Sequence, residues 1–105
     1  MKTRQTSYVD YGFVEGNIKK KKESNRLKEY CRKPDFNDHI TLMHAAVSAN
    51  ESLAGDIFYS IINNLSYEDI SRIKYIPISK TDFYGYQRKC LAQFRDLLIM
   101  YGKWK

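Results

Sequence analysis

The side chains in this sequence whose types and spacing suit chemistry are hydrogen-bond donors. Lys80, Thr81, Tyr84, Arg88 and Lys89 crowd the start of SKTDFYGYQRKCLAQF. Arg72 and Lys74 precede them, and Lys19, Lys20, Lys21 and Lys22 form the densest basic cluster. Long cationic donors contact phosphate oxygens, while forked and small polar groups on one helix face read base edges. The chemistry expected of these residues is contact with nucleic acid. A solvated, solubilising helix face is the competing reading, since charge on a helix surface is the default.

Other chemistries find less support. Cys31, Cys90, His39 and His44 supply four metal-ligand types, but without CxxC or HxxxH spacing. His39 and His44 are five residues apart, on different helix faces. Glu51 and Asp56 share that spacing and make a poor carboxylate pair. No Gly-rich phosphate loop or catalytic dyad is present. The expectation is therefore no enzyme, no metal, no cofactor and no small-molecule substrate. MKTRQTSYVD lacks the apolar run of a secretory signal, and nowhere do eighteen uncharged apolar residues run together. No membrane partner is expected, and the two cysteines read as reduced thiols in a cytoplasm. Cys90 reads as a small core residue.

The donors need elements to hold them. Ser66 with Asp69, and Ser79 with Asp82, repeat one N-capping pattern thirteen residues apart. Pro77 lies between the caps, where it shapes a connection without interrupting a helix. The spacing predicts a helix of about two turns, a turn, and a longer helix. That is the layout of a helix-turn-helix over 65–94, which offers its second helix to the DNA major groove. Phe83, Cys90, Leu91, Phe94, Leu97, Leu98 and Tyr101 recur at steps of three and four and predict the core face of that second helix.

The remaining chain predicts an all-α fold, a compact domain of four to five helices. The net charge of +6 is uneven. Residues 1–37 hold ten Lys and Arg against five acids, residues 38–66 none against three, and residues 67–105 eight against four. This divides the chain into a basic N-terminal arm and helix, 1–37, and a helical core, 38–105. Residues 1–17, with Tyr8, Tyr11 and Phe13, read as an aromatic arm, a loose terminus, or a strand that pairs elsewhere. Residues 18–33 read as a basic helix stopped by Pro34. Within 39–64 the expected core stripe is Ile40, Met43, Val47, Ala54, Ile57, Phe58, Ile61 and Ile62. Asn50 falls on that stripe, and Ser48 with Glu51 resembles another capping box, so two helices with a break near Asn50 are expected. Gly55 is expected to admit a close neighbour, Gly102 to stop the last helix, and Trp104 to fold back on the core.

The run LMHAAVSANESLAGDIFYSIINNLSYEDISRIKYIPISKTDFYGYQRK resembles a group of small phage and mobile-element proteins of low-GC Gram-positive bacteria. More distantly, it resembles the helix-turn-helix of sigma-factor region four. The resemblance covers Leu42 to Phe94 and rests most on Ile70, Ile78, Ser79 and Phe83. It implies double-stranded DNA as partner and transcriptional control in a phage or integrative element. A homodimer follows from the DNA reading, because half-site recognition often uses a two-fold. The alternative is a protein-interaction module of a mobile element, a small inhibitor or assembly factor. Fifteen aromatics, nine of them Tyr, suit such an interface.

Overall fold

The computed structural model describes residues 18–104, with side chains from Lys22 onward. The expected N-terminal arm, 1–17, and the side chains of Lys19, Lys20 and Lys21 lie outside the described residues. The described chain is all-helical: α1 (Ile18–Cys31), α2 (His39–Ala49), a 3-10 turn (Glu51–Leu53), α3 (Ala54–Asn63), α4 (Tyr67–Ser71) and α5 (Lys80–Met100). The expected fold class holds.

The long helix α5 is the axis of the fold. Phe83, Cys90, Leu91, Phe94 and Leu98 are buried on its predicted core face. Gly85, Gln87 and Ala92 are buried too, so the helix is covered on more than one side. α2 packs along it most extensively, with α1, α3 and α4 around the rest. Lys103 reaches Asp38 at 2.6 Å, tying the start of α2 to the chain just beyond α5, so these two helices run antiparallel. Leu97 is only half-buried and Tyr101 is exposed, which corrects the end of the predicted stripe.

α1 contributes Ser24, Leu27 and Cys31 at helical spacing, and Leu27 and Cys31 join the same core as residues 38–105. The Tyr30 ring meets Phe36, Phe94 and Trp104 at 5.6, 6.2 and 5.7 Å between centroids. Trp104 does fold back: its indole N–H donates to Glu23 at 3.4 Å, and the Arg26 guanidinium lies 4.8 Å from its ring centre.

The buried stripe of α2 is out of phase with the expected one. Leu42, Ala45, Ala46 and Ala49 are buried, while Ile40 is 74% exposed and Val47 43%. Small residues let two helix backbones approach, and the most extensive helix contact in the fold selects the alanine face over the β-branched one. The expected break occurs at Asn50, whose backbone is extended. Its own side chain caps the next turn, Oδ1 accepting from Leu53 N–H at 3.2 Å, so Asn50 and not Ser48 is the cap. Gly55 is exposed, and a Cβ there would meet nothing within 4 Å. It admits no close neighbour, contrary to expectation.

Asn64 closes α3 in the left-handed region at φ 55°, and Leu65 N–H returns to the Ser60 carbonyl at 3.0 Å. Ser66 and Asp69 form the predicted capping box of α4. Ser79 Oγ accepts from Asp82 N–H at 3.2 Å and opens α5. Gly102, at φ 75°, follows its end. The order and caps match the expectation for 65–94. The dimensions do not establish a helix-turn-helix: α4 has five residues, and residues 72–79 make an eight-residue connection where the motif uses three or four.

Candidate nucleic-acid interface

Three of the sequence-predicted cations around α4 are held by acids. Arg72 pairs with Asp69 at 2.9 Å, Lys74 with Asp56 at 3.3 Å, and Lys80 with Glu68 at 2.8 Å. The hydrogen bond from Lys80 holds the Glu68 carboxyl below its ordinary range and raises the Lys80 ammonium. Asp56 is largely covered, whereas the Arg72–Asp69 and Lys80–Glu68 pairs sit in solvent. Such pairs contribute little to stability and can be exchanged for other anions. Thr81 is exposed beside them.

Tyr84 has a structural task. Its hydroxyl accepts from Tyr67 N–H at 2.9 Å, satisfying an amide at the start of α4 that has no partner within the helix. Tyr67 in turn donates its hydroxyl to the Ile78 carbonyl at 2.6 Å. The two tyrosines lock the connection over the first turns of α5. Further along, no residue from Asp82 to Arg95 is exposed, and Arg88 and Lys89 are half-buried. Groove reading needs one wet helix face, and along this stretch α5 has only partly covered flanks.

Arg88 has different neighbours from those expected. α1 meets α5 through Glu23, which pairs with Arg95 at 3.1 Å, and through the Tyr30 ring, 6.2 Å from that of Phe94. The charges of Arg32 and Arg88 both act on Lys28, whose ammonium is lowered by burial first and by these two cations next. Arg32 donates from Nε to the Ile61 carbonyl at 2.7 Å, in the last turn of α3, where carbonyls are left without helical partners. Burial lowers its guanidinium as well. Lys28 and Arg32 were not among the expected contact residues. Their i, i+4 spacing on α1 was the signal, masked by the denser Lys19–Lys22 run.

The outer side of α1 is basic. Lys22, Arg26 and Lys33 are exposed, and Lys28 and Arg32 are half-buried. Across the molecule, α2 and α5 leave a groove of about 250 Å³ lined by His44, Ala45, Ser48, Gln93, Asp96 and Leu97. Gln93 Oε1 is buried there without a hydrogen-bond partner. Exposed Ile40 and Val47 belong to α2, and exposed Met100 and Tyr101 to the end of α5. Cys31 and Cys90 are buried free thiols. Among the described residues no three His, Cys, Asp or Glu side chains gather as metal ligands, and no helix is long and apolar enough to cross a membrane. No family model, curated protein or solved structure matches the chain.

Proposed function

We propose that this domain binds double-stranded DNA chiefly through backbone phosphates, with α1 and the adjoining flank of α5 as the contact surface. The observation that carries the reading is the charge layout of α1. Residues 18–33 hold eight Lys and Arg against two acids, and the buried Ser24–Leu27–Cys31 stripe turns the described cations Lys22, Arg26 and Lys33 outward. Cations on one helix side neutralise phosphates and release counterions, which supplies non-specific affinity. Lys80 and Thr81 are the first residues of α5 and extend the surface when the exposed Lys80–Glu68 pair opens. The narrower reading, a transcriptional regulator of a phage or integrative element, draws on the doubled Ser66 and Ser79 caps and on the resemblance over Leu42–Phe94. It requires base contacts in addition to phosphate contacts.

Charge reversal tests the surface. Lys22→Glu with Lys33→Glu is expected to weaken duplex binding about a hundredfold, since each phosphate contact contributes on the order of tenfold at moderate salt. Lys80→Ala with Thr81→Ala is expected to weaken it less. The reverse order would place the interface on the α4–α5 unit. A second reading, a protein-interaction module, is favoured by exposed Ile40, Val47, Met100 and Tyr101 near the α2–α5 groove, because large exposed apolar groups mark contact sites. Affinity for a protein partner on that side would respond to Ile40→Asp and Met100→Asp and hardly to salt.

A further inference from the structure

One side of the fold is built from the outer stripes of two antiparallel helices. Along α2, Ile40, His44, Val47 and Ser48 recur at helical spacing, and all four are exposed. Along α5, Gln93, Asp96, Leu97 and Met100 recur at steps of three and four, which places them on one helix side. The groove of about 250 Å³ lies between the two stripes, with His44 and Ser48 on one wall and Gln93, Asp96 and Leu97 on the other. Ile40, Val47 and Met100 continue the walls as large apolar side chains open to solvent.

This side is poor in cations, in a chain of net charge +6. α2 contains no Lys or Arg. Between Gln93 and Met100 the only cation is Arg95, and Glu23 and Asp96 engage it at 3.1 Å each. What remains is one imidazole and one carboxylate, facing each other across the groove. Asp96 meets Arg95 through Oδ1, so Oδ2 can accept from a further donor. Gln93 adds an amide whose Oε1 is buried without a partner, and turning it toward a donor sacrifices no hydrogen bond. An acidic partner would need cations here, and a basic one more than a single acid. A face carrying one donor and one acceptor complements itself, because two-fold pairing makes each contact twice. Pairing through α1 would instead oppose two helices of eight Lys and Arg each, like charge against like.

We propose that a second copy of this chain docks on the α2–α5 side, in a two-fold pair that sets His44 of each copy against Asp96 of the other and covers Ile40, Val47, Leu97 and Met100. α1 and α2 both pack on α5 without extensive contact with each other, so the basic side of α1 faces outward in both copies. The inference names the occupant for the protein-interaction reading and rests on that reading for the side used. It is independent of the nucleic-acid reading.

The test is sedimentation equilibrium of the full chain from about 1 μM to 1 mM, with circular dichroism confirming the fold of each variant. The wild type should show a monomer–dimer equilibrium. Ile40→Asp and Met100→Asp should each weaken it at least about tenfold, because a charge would be buried against apolar groups. Ile73→Asp alters an equally exposed apolar residue in the connection between α4 and α5 and should leave it unchanged. His44→Asp sets acid against acid and should weaken the pair about tenfold, and adding Asp96→His should recover most of the loss. A monomer at every concentration overturns the pair and leaves this side to a different protein. A dimer indifferent to Ile40→Asp and Met100→Asp, or weakened as much by Ile73→Asp, overturns the face. No recovery in the double variant overturns the two-fold register. The same samples are titrated with a short duplex. Duplex binding by a monomeric wild type removes the pair and keeps the nucleic-acid reading, and a dimer that binds no duplex does the reverse.

Discussion

Ser60 and Gln87 make a buried side-chain pair that bridges α3 and α5. Gln87 Nε2 donates to Ser60 Oγ at 3.0 Å, and that hydroxyl donates to the Ile57 carbonyl at 2.7 Å. Ser60→Ala removes the acceptor and leaves the Gln87 amide unsatisfied in the core. Urea denaturation should show a loss of about 1–3 kcal/mol, and adding Gln87→Leu should restore part of it. Asp38 sets the acid response. Hydrogen bonds from Lys103 and from the Tyr30 hydroxyl, at 2.6 Å each, hold its carboxyl below the ordinary 3.8. A depressed folded value means that this stabilisation is present above the unfolded value and lost as pH falls through the folded one. Below about pH 4 the melting temperature of the wild type should therefore drop more steeply than that of Asp38→Asn. Tyr30 and Cys31 set the alkaline response. Burial, helped for Tyr30 by the Asp38 bond, raises both to about 12 from 10.0 and 9.0. A raised value for an acid of this kind stabilises the fold below the unfolded value and is lost as pH rises toward 12, so stability should decline from about pH 9 upward. Neither role was legible in the sequence. Asp38 stands in the N-cap position of α2, yet its side chain makes no capping bond there, because residues eight and sixty-five positions away claim it.

The elements divide by how local their causes are. Ser66, Ser79 and Gly102 act within a few residues of themselves, and each terminates or opens a helix where the sequence placed it. Ser66→Ala should therefore cost about 1 kcal/mol in a denaturant titration, the usual loss for an N-cap. α2 behaved differently. Its sequence carries two candidate stripes, one of Ile40, Met43 and Val47 and one of Leu42, Ala45, Ala46 and Ala49. Alanine adds little to any pattern of hydrophobicity, so the larger side chains dominate a reading of the sequence. The fold buries the smaller ones because α2 lies along α5, a long-range fact. Gly55 was misread for the same kind of reason: a close approach was expected, and open space is found. Gly55→Ala should raise stability by about 0.5–1 kcal/mol, from lower unfolded-state entropy and better helix propensity. A loss in that variant would mean that a neighbour does need the space.

At the scale of the whole molecule, periodicity indicated an all-helical fold, but the charge division set residues 1–37 apart from a core to which Leu27 and Cys31 belong. The donors at the start of α5 were the natural candidates by composition. In the fold, Lys80, Arg72 and Lys74 lie in ion pairs, Tyr84 braces α4, and Arg88 is half-buried. What the sequence could not carry was the packing of α1 on α5, which depends on contacts such as Glu23–Arg95, seventy-two residues apart. That packing moves the proposed DNA contact from a groove-reading helix to the outer side of α1. The reading then stands on electrostatics, and its most direct test is the salt dependence of binding. Fluorescence anisotropy with a labelled random-sequence duplex, repeated over a range of salt concentrations, should give a log–log slope of about −3 or steeper, corresponding to three or more phosphate contacts at roughly −0.9 each. Absence of binding at low salt, or an affinity that does not change with salt, would contradict it.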